Sequence, residues 1–232
     1  MLSQKRLFDI IFSILALMIL FPLILLIAVL VKLDSEGPIV HKQKRTGKDS
    51  RPFTLYKFRT MYKDAEKKGP LWSKNGDTRI TKIGKVLRIT NLDEIPQFYN
   101  VIMGEMSVVG PRPERPYFTT KFAKQYKNYN KRFVVKPGIT GWAQVNGWYG
   151  DTSIPPRLKC DLEYIEKRSL GFDMKILLMT LKLAKDNFIK ILTGSTEEFS
   201  NLNHAKIAEE TITADQQPME VLSAIGKDVK QP

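Results

Sequence analysis

Residues 10–31 of this chain, IIFSILALMILFPLILLIAVLV, form the apolar run that decides its fold. The run carries no charge, and Ser13 is its only clearly polar member. At about 1.5 Å per residue, a helix of this length can cross a hydrocarbon core of roughly 30 Å. The run is longer than a typical signal-peptide core, and no A-x-A-like cleavage site follows it. We therefore expect a retained membrane segment.

Pro22 lies near the middle of this run and predicts a break in the helix, because an interior proline removes one backbone hydrogen bond and clashes with the preceding turn. Lys5 and Arg6 precede the run, and five Lys or Arg residues follow it between positions 32 and 48. Because such residues are retained in the cytoplasm, this pattern favours a re-entrant helix-break-helix with both ends on one side. The alternative is a single spanning helix with an outside N-terminus and a proline kink.

The composition excludes two common kinds of catalytic site. The chain has one cysteine, Cys160, and two histidines, His41 and His204. A zinc site or a thiol–imidazole pair needs clusters of these residues, so neither is expected. If the protein is an enzyme, its carboxylates must carry the chemistry.

Charge is unevenly distributed along the 232 residues, whose formal net charge is +13. From Gly194 onward there are three Lys and seven Asp or Glu, a net charge of −4, so the rest of the chain carries +17. A body this basic predicts an anionic partner: nucleic acid, anionic lipid head groups or phosphorylated small molecules. We expect three regions: a membrane segment at 1–33, a catalytic domain at 34–193 and a mobile acidic tail at 194–232.

The residues between the apolar run and the tail predict a mainly helical α+β domain. Two extended segments, 38–45 and 53–61, flank the turn formers of 46–50 and predict a β-hairpin. Amphipathic helices are expected at 95–103, 116–129, 156–168 and 173–192. The last of these has the basic, apolar composition of a helix that lies at a membrane interface, although a core-facing helix with solvated lysines would look the same.

Adjacent carboxylates, Asp93 and Glu94, stand in the stretch ITNLDEIPQ at 89–97. One interpretation is a capping box, in which Asn91 with Glu94, or Thr90 with Asp93, binds the first amides of the following helix. A cap needs only one acid, however, and neighbouring side chains on a helix diverge. The second interpretation is catalytic: one carboxylate acts as a nucleophile while the other binds Mg²⁺, a hard ion that prefers oxygen ligands.

Several cations could hold an anionic substrate near these acids. Lys57 and Arg59 lie two residues apart in the predicted second strand and so share one face. Arg112 lies between two prolines that fix φ near −65°, which stiffens the backbone that presents its guanidinium. The glycine-rich stretch 136–148 is neither a Rossmann nor a P-loop pattern, so the usual nucleotide-binding folds have no support.

Taken in order, eight short blocks of this sequence resemble the bacterial sugar transferase family, the monotopic phosphoglycosyl transferases that act on polyprenyl phosphate. The resemblance covers about residues 3–190. The blocks are K-R-x-x-D at 5–9, E-G-P at 36–38, Q-x-R-x-G at 43–47, K-F-R-T-M at 57–61, L-R at 87–88, L-D-E-I-P-Q at 92–97, S-V-V-G-P-R-P at 107–113 and K-P-G-I-T-G-W at 136–142. Each block alone is weak, whereas eight in order are highly specific.

This resemblance implies a re-entrant membrane helix in the bacterial inner membrane, with the catalytic domain on the cytoplasmic face. It also implies transfer of a sugar-1-phosphate from a nucleotide diphosphate sugar to undecaprenyl phosphate, with release of UMP from a UDP-hexose, as a first membrane step of exopolysaccharide or glycoconjugate synthesis. By analogy, Asp93 would form a covalent phosphosugar intermediate and Glu94 would bind Mg²⁺. The cations assigned to the phosphates are Lys57, Arg59, Arg88, Arg112 and Arg115.

Finer expectations follow from the same resemblance. The stretch WYGDT at 148–152 resembles members that act on UDP-glucose or UDP-galactose. The chain resembles the minimal catalytic form, without the extra N-terminal helices of larger relatives. Its oligomeric state is open, a homodimer included.

Two other functions compete with this one. A glycosyltransferase that moves the sugar alone would use similar substrates, but no spaced D-x-D metal motif is present. A membrane-anchored binder of anionic lipid or nucleic acid would use the basic body without catalysis. The latter leaves the acidic pair and the Pro-Arg-Pro loop unexplained, so we expect no nucleic-acid partner.

Overall fold

A computed structural model describes residues 3–67, 69 and 77–193 of the chain. Residues Met1–Ile189 form one compact unit, and Lys190–Pro232 form a second, of which only the end of the last helix is described. The predicted acidic tail at 194–232 lies outside the described residues.

The apolar run forms the long helix α1, Gln4–Asp34. Ser3 caps its start, since its hydroxyl accepts a hydrogen bond from the backbone N–H of Arg6 at 3.2 Å. Among the described helices it is the one that is long and apolar enough to cross a membrane. The helix continues through Pro22, so the break predicted there does not divide it into two helices. Its path in a membrane stays a prediction.

The predicted β-hairpin is confirmed. Strand β1, Val40–Thr46, pairs antiparallel with β2, Pro52–Phe58, so that Val40 lies opposite Phe58 and Thr46 opposite Pro52. A second, parallel pair joins β3, Ser107–Val109, to β4, Gly138–Thr140. The close pairing requires glycine at position 138, because a Cβ there would lie 2.1 Å from the amide nitrogen of Gly110.

The remaining elements are helices, as expected of a mainly helical α+β domain. Three of these helices match predicted helices, with ends that differ by no more than a few residues. The fourth predicted helix, after the acidic pair, starts at Gln97 rather than at Ile95. The helices are α2 (Lys82–Thr90), α3 (Gln97–Met103), α4 (Pro116–Gln125), the single turn α5 (Trp142–Val145), α6 (Ile154–Lys167) and α7 (Leu170–Leu192). Short 3-10 turns cover Leu92–Glu94 and Tyr129–Val134.

Buried apolar side chains form three clusters. The first joins the hairpin to α3, β3, α6 and α7, and includes Leu55, Val101, Met106 and Ile176. In the second, Ile27 and Val31 of α1 pack with residues such as Phe58 and Leu87 from the other elements. The third lies between the 3-10 turn Tyr129–Val134 and α6. The apolar clusters therefore join α1 to the elements that surround the acidic pair.

Polar side chains near both ends of α1 bind the same unit. At the N-terminal end, Arg6 donates to the carbonyls of Val101 and Ile102 in the last turn of α3, the second at 2.8 Å. At the C-terminal end, the Asp34 carboxylate accepts from the amide of Ile83 at 3.0 Å, in the first turn of α2. Both ends of α1 therefore contact elements of the same compact unit.

Asp9, in the second turn of α1, also binds this unit. The residue is 2% exposed, and one carboxylate oxygen accepts from the Ser107 hydroxyl at 3.0 Å and the Val108 amide at 3.1 Å. Replacing Asp9 by Ala leaves two buried donors without an acceptor, so we expect the free energy of unfolding to fall by about 3 kcal/mol. Thermal unfolding in detergent measures this. Asp151→Ala, at an exposed position, is the control; equal effects of the two variants would contradict the anchoring role.

Candidate functional site

Asp93 and Glu94 lie in the 3-10 turn between α2 and α3. Helix α2 ends because Asn91 takes a left-handed conformation, φ 57°, which asparagine tolerates better than most residues. The Asn91 side chain makes no cap hydrogen bond, and neither does any side chain at the start of α3. The capping-box interpretation is therefore wrong, and both carboxylates are available for other contacts.

Both acids are nevertheless buried, with 6% of Asp93 and 8% of Glu94 exposed. The guanidinium of Arg112 binds both oxygens of Glu94, one of them at 3.1 Å. Lys57 from β2, Arg88 from α2 and Arg112 from the loop after β3 are the cations whose charges act on Asp93. Three separated segments of the sequence thus bring positive charge to one pair of carboxylates.

This environment separates the pKa values of the two acids. Burial, with the adjacent Glu94 charge, raises the pKa of Asp93 to about 6 against the opposing effect of the cations. Burial also acts on Glu94, but Arg112 outweighs it and holds the pKa of Glu94 below its ordinary value. Burial lowers the pKa of Lys57 to about 8, although Asp93 opposes the shift. At neutral pH the site holds charged carboxylates and charged cations together.

The position of Arg88 depends on close packing between α2 and the end of β2. Its Nε donates to the hydroxyl of Thr60 at 2.8 Å. Gly84, one turn earlier, permits this approach, because a Cβ there would lie 2.2 Å from the Thr60 carbonyl oxygen. Asp34 of α1 binds the first turn of the same helix, so the membrane segment helps to place Arg88 beside Asp93.

The loop that presents Arg112 is fixed through its backbone. The carbonyl of Pro111 accepts from the Gly138 amide at 2.9 Å. The carbonyl of Pro113 accepts from Arg45 at 2.9 Å, and that of Arg112 accepts from Arg132 at 2.8 Å. Hydrogen bonds from three other elements therefore hold this backbone in place, in addition to the stiffness predicted from the two flanking prolines.

Arg59 lies elsewhere than predicted. Its guanidinium donates to the carbonyls of Val31 and Ser35 at the end of α1, the first at 2.9 Å. The alternation that predicted a shared face with Lys57 applies only within a strand, and β2 ends at Phe58. Arg59 therefore neutralises the C-terminal end of a helix instead of joining the cation cluster.

Arg115 also has another partner. It forms a two-pronged ion pair with Glu66, at 2.8 and 3.1 Å. The charge of Arg115 lowers the pKa values of His41 and Arg45. The larger causes of the lowered His41 pKa are burial and then the charge of Lys57. Arg115 thus lies at the edge of the basic region, where Glu66 already satisfies its guanidinium.

Several charged residues beneath the loop were not predicted as site residues. Burial lowers the pKa of Arg45 to about 10, and its ion-pair partner Glu114 is 3.8 Å away. Arg132 and Asp161 form a second buried pair, at 2.7 Å. Arg45 stands in the Q-x-R-x-G block, which could have pointed to it. No sequence signal links Arg132 to Asp161, because 28 residues separate them.

The acids fit a magnesium ion that takes most of its ligands from elsewhere. The described residues contain no group of three or more His, Cys, Asp or Glu side chains placed to hold a metal. Mg²⁺ commonly binds one or two carboxylates and completes its octahedron with water and substrate phosphates. Glu94 is one such carboxylate, but both of its oxygens bind Arg112, so a magnesium ion would have to take at least one of them from the guanidinium.

The chain is similar to known proteins along most of its length. The profile of the family described as "Bacterial sugar transferase" matches residues 2–186. The UDP-N-acetylgalactosamine-undecaprenyl-phosphate N-acetylgalactosaminephosphotransferase of Aeromonas hydrophila is 42% identical over 192 residues, which are 82% of this chain and 44% of that protein. The UDP-glucose:undecaprenyl-phosphate glucose-1-phosphate transferase of Escherichia coli K12 is 43% identical over 76% of this chain and 39% of its own length.

A shorter relative matches along nearly its whole length. The exopolysaccharide production protein PSS of Rhizobium leguminosarum is 41% identical over 188 residues, which are 78% of this chain and 94% of that protein. By contrast, the chain spans less than half the length of the Aeromonas and Escherichia relatives. The similarity to all three proteins includes the segment with the acidic pair and the Pro-Arg-Pro loop, since the family profile covers both.

The different placements of Arg59 and Arg88 predict opposite effects of the same substitution. Arg88→Lys should weaken binding of inorganic pyrophosphate about tenfold with little change in unfolding temperature, because it alters a cation beside Asp93. Arg59→Lys should lower the unfolding temperature and leave pyrophosphate affinity unchanged, because its partners are helix carbonyls. Isothermal titration calorimetry and thermal unfolding on both variants measure the pattern. Loss of pyrophosphate affinity in a stable Arg59→Lys protein would restore the predicted phosphate role.

Proposed function

This chain belongs to the bacterial sugar transferase family, and from that premise we propose that it transfers a sugar-1-phosphate from a nucleotide diphosphate sugar to undecaprenyl phosphate. The observation that carries the proposal is the buried Asp93 carboxylate surrounded by Lys57, Arg88 and Arg112. A diphosphate is the kind of ligand that such a cluster stabilises, and a carboxylate inside it can act as a nucleophile.

In the first step, a carboxylate oxygen of Asp93 attacks the β-phosphorus of the donor. The bond from this phosphorus to the bridging oxygen breaks, and its electron pair leaves with the nucleoside monophosphate. The sugar-phosphate is then joined to Asp93 as an acyl phosphate. Lys57, Arg88 and Arg112 offset the negative charge that would otherwise repel the attacking carboxylate.

In the second step, a phosphate oxygen of undecaprenyl phosphate attacks the same phosphorus. The bond to Asp93 breaks, the carboxylate is regenerated, and the product is a lipid-linked sugar diphosphate. Both steps exchange one phosphorus–oxygen bond for another, and neither needs a general base, since both nucleophiles are anions. This fits a carboxylate on which, besides Glu94, the cations Lys57, Arg88 and Arg112 act.

Glu94 is the residue that would hold Mg²⁺. When bound, the ion would offset charge on the donor diphosphate. Glu94 has a second use that depends on this chain alone: its ion pair keeps Arg112 pointed at the site. A phosphate of the nucleotide sugar can then replace Glu94 as the hydrogen-bond partner of some of the Arg112 N–H groups.

The membrane location is supported by the surface of the described unit. Most of α1 exposes apolar side chains, and polar residues near both of its ends bind the same unit, which supports the re-entrant path. Helix α7 exposes a stripe of large apolar residues, including Leu170, Met174, Leu178 and Leu181. Lysines flank that stripe, as in helices that lie at an anionic interface. The proposal places the site at the cytoplasmic face of the inner membrane.

The donor is a UDP-sugar in this proposal, but relatives differ in the sugar that their names give. One is an N-acetylgalactosamine phosphotransferase and another a glucose-1-phosphate transferase. The resemblance of WYGDT at 148–152 favours a UDP-hexose as donor, and the name of the Rhizobium relative refers to exopolysaccharide production. A panel of donors must therefore be tested.

The experiment is to measure nucleotide release by the purified chain with undecaprenyl phosphate, Mg²⁺ and a panel of UDP-sugars. We expect UMP, and a lipid-linked sugar diphosphate, with one preferred donor. UDP as the released product would mean transfer of the sugar alone and would refute the mechanism. Release of neither nucleotide, together with strong salt-dependent binding to RNA or anionic vesicles, would favour the binding function.

Asp93→Asn is the matched control, since it keeps the size and most contacts of the side chain but removes the nucleophile. UMP release should fall at least a thousandfold with unchanged thermal unfolding. Mass spectrometry of the wild-type protein after brief exposure to donor alone should show the added mass of one sugar phosphate, absent in the variant. Substantial turnover by Asp93→Asn would exclude the covalent step.

The pKa shifts predict a bell-shaped pH profile of kcat/KM for the donor. Asp93 must be ionised, and its pKa is raised to about 6, so activity is present above that pH and falls about tenfold per unit below it. Lys57 must be protonated, and its pKa is lowered to about 8, so activity falls above that pH. Lys57→Arg should remove the alkaline limb, because arginine stays charged. An alkaline limb that persists in this variant would assign it to another group.

A further inference from the structure

We propose that Arg132 is a positioning residue: it fixes the backbone of Arg112 and thereby the direction of the Arg112 guanidinium. The inference rests on the proposed function for its catalytic consequence, while its effect on anion binding can be measured separately. Neither the sequence blocks nor the comparisons assign Arg132 a role. Its three contacts carry the argument.

Arg132 is only 2% exposed, and both of its terminal nitrogens have polar partners. One terminal nitrogen donates to the hydroxyl of Tyr129 at 2.7 Å. The other donates to the carbonyl of Arg112 at 2.8 Å and lies 2.7 Å from an oxygen of Asp161. The guanidinium also lies over the Tyr129 ring, 5.1 Å from its centre. These contacts hold the Arg132 guanidinium in one orientation, with one N–H directed at the Arg112 carbonyl.

The partner carboxylate comes from a rigid element. Asp161 lies in α6, four residues after Arg157, so both face the same side of the helix. Arg157 binds Glu114 at 2.9 Å, two residues after Arg112. Helix α6 therefore holds the Pro-Arg-Pro loop at two points, directly through Arg157 and through Arg132 as an intermediary.

A buried ion pair is poor evidence for a contribution to stability, because the charges lose their hydration and apolar residues could fill the same space. The pair of Arg132 and Asp161 is 2% exposed at both side chains, so that cost is nearly complete. What apolar residues could not provide is a donor to the Arg112 carbonyl. The pair thus orients the Arg112 backbone. This orientation matters because a small displacement of a residue that binds the substrate phosphate can lower the rate about a hundredfold.

This role predicts that Arg132 acts through Arg112 and not through the fold in general. A double-mutant cycle tests it, since residues that act through one another are not additive. Arg132→Lys should lower kcat/KM for the donor by about tenfold or more in the wild-type background. In an Arg112→Lys background, the same change should cost less than threefold, because the guanidinium that it positions is already lost.

Two controls separate positioning from general damage. In an Arg88→Lys background, Arg132→Lys should cost its full factor, because Arg88 lies on α2 and not on the loop whose backbone Arg132 holds. Arg51→Lys makes the same chemical change at an exposed position and should have no effect. An equal loss from Arg132→Lys in all three backgrounds would mean a purely structural role and overturn the inference.

The cycle should be repeated on the affinity for UDP, measured by calorimetry in the presence of detergent. If the wild-type protein transfers no sugar phosphate, the proposed function fails, but the UDP cycle still decides whether Arg132 positions Arg112. Affinity for UDP that is unchanged by Arg112→Lys would overturn the inference. If Arg132→Lys does not fold, Asp161→Asn replaces it in the cycle, with the same non-additive result expected.

Discussion

Burial of two adjacent carboxylates is the constraint on which this structure depends. Asp93 and Glu94 repel each other and have lost most of their hydration, so they can remain ionised only among cations. The cations come from β2, α2 and the loop after β3, which the sequence separates widely. Packing of the hairpin, α2 and the Pro-Arg-Pro loop around the turn at Leu92–Glu94 is what brings them together.

The membrane helix is part of this arrangement and not merely an anchor. Asp34 at its C-terminal end binds the start of α2, which carries Arg88. Near its N-terminal end, Asp9 binds the strand that leads to Arg112, and Arg6 binds the last turn of α3. Because these contacts lie on both sides of the acidic pair, the position of α1 and the geometry of the site are coupled through hydrogen bonds.

The sequence predicted the features that depend on local patterns. The hairpin followed from two extended segments around turn formers, and the acidic pair and Arg112 from compact blocks. Arg59 was misplaced because alternation predicts a shared face only while a strand continues, and β2 ends one residue before it. Helix α3 starts at Gln97, two residues later than predicted, although Ile95 and Pro96 already have right-handed helical backbone angles. The pairs Arg132–Asp161 and Arg157–Glu114 join residues far apart in the chain, for which one sequence carries no periodic signal.

The ion pair between Glu94 and Arg112 explains how a cation cluster can exist before a substrate arrives. Without a resident anion, Lys57, Arg88 and Arg112 would repel one another and turn towards solvent. Glu94 binds both terminal nitrogens of Arg112, so this guanidinium is already oriented in the folded protein. The free-energy cost of ordering it is met on folding, and an incoming phosphate only exchanges one oxygen partner for another. Such preorganisation requires a fixed backbone at Arg112, which its flanking prolines and three hydrogen-bonded carbonyls supply.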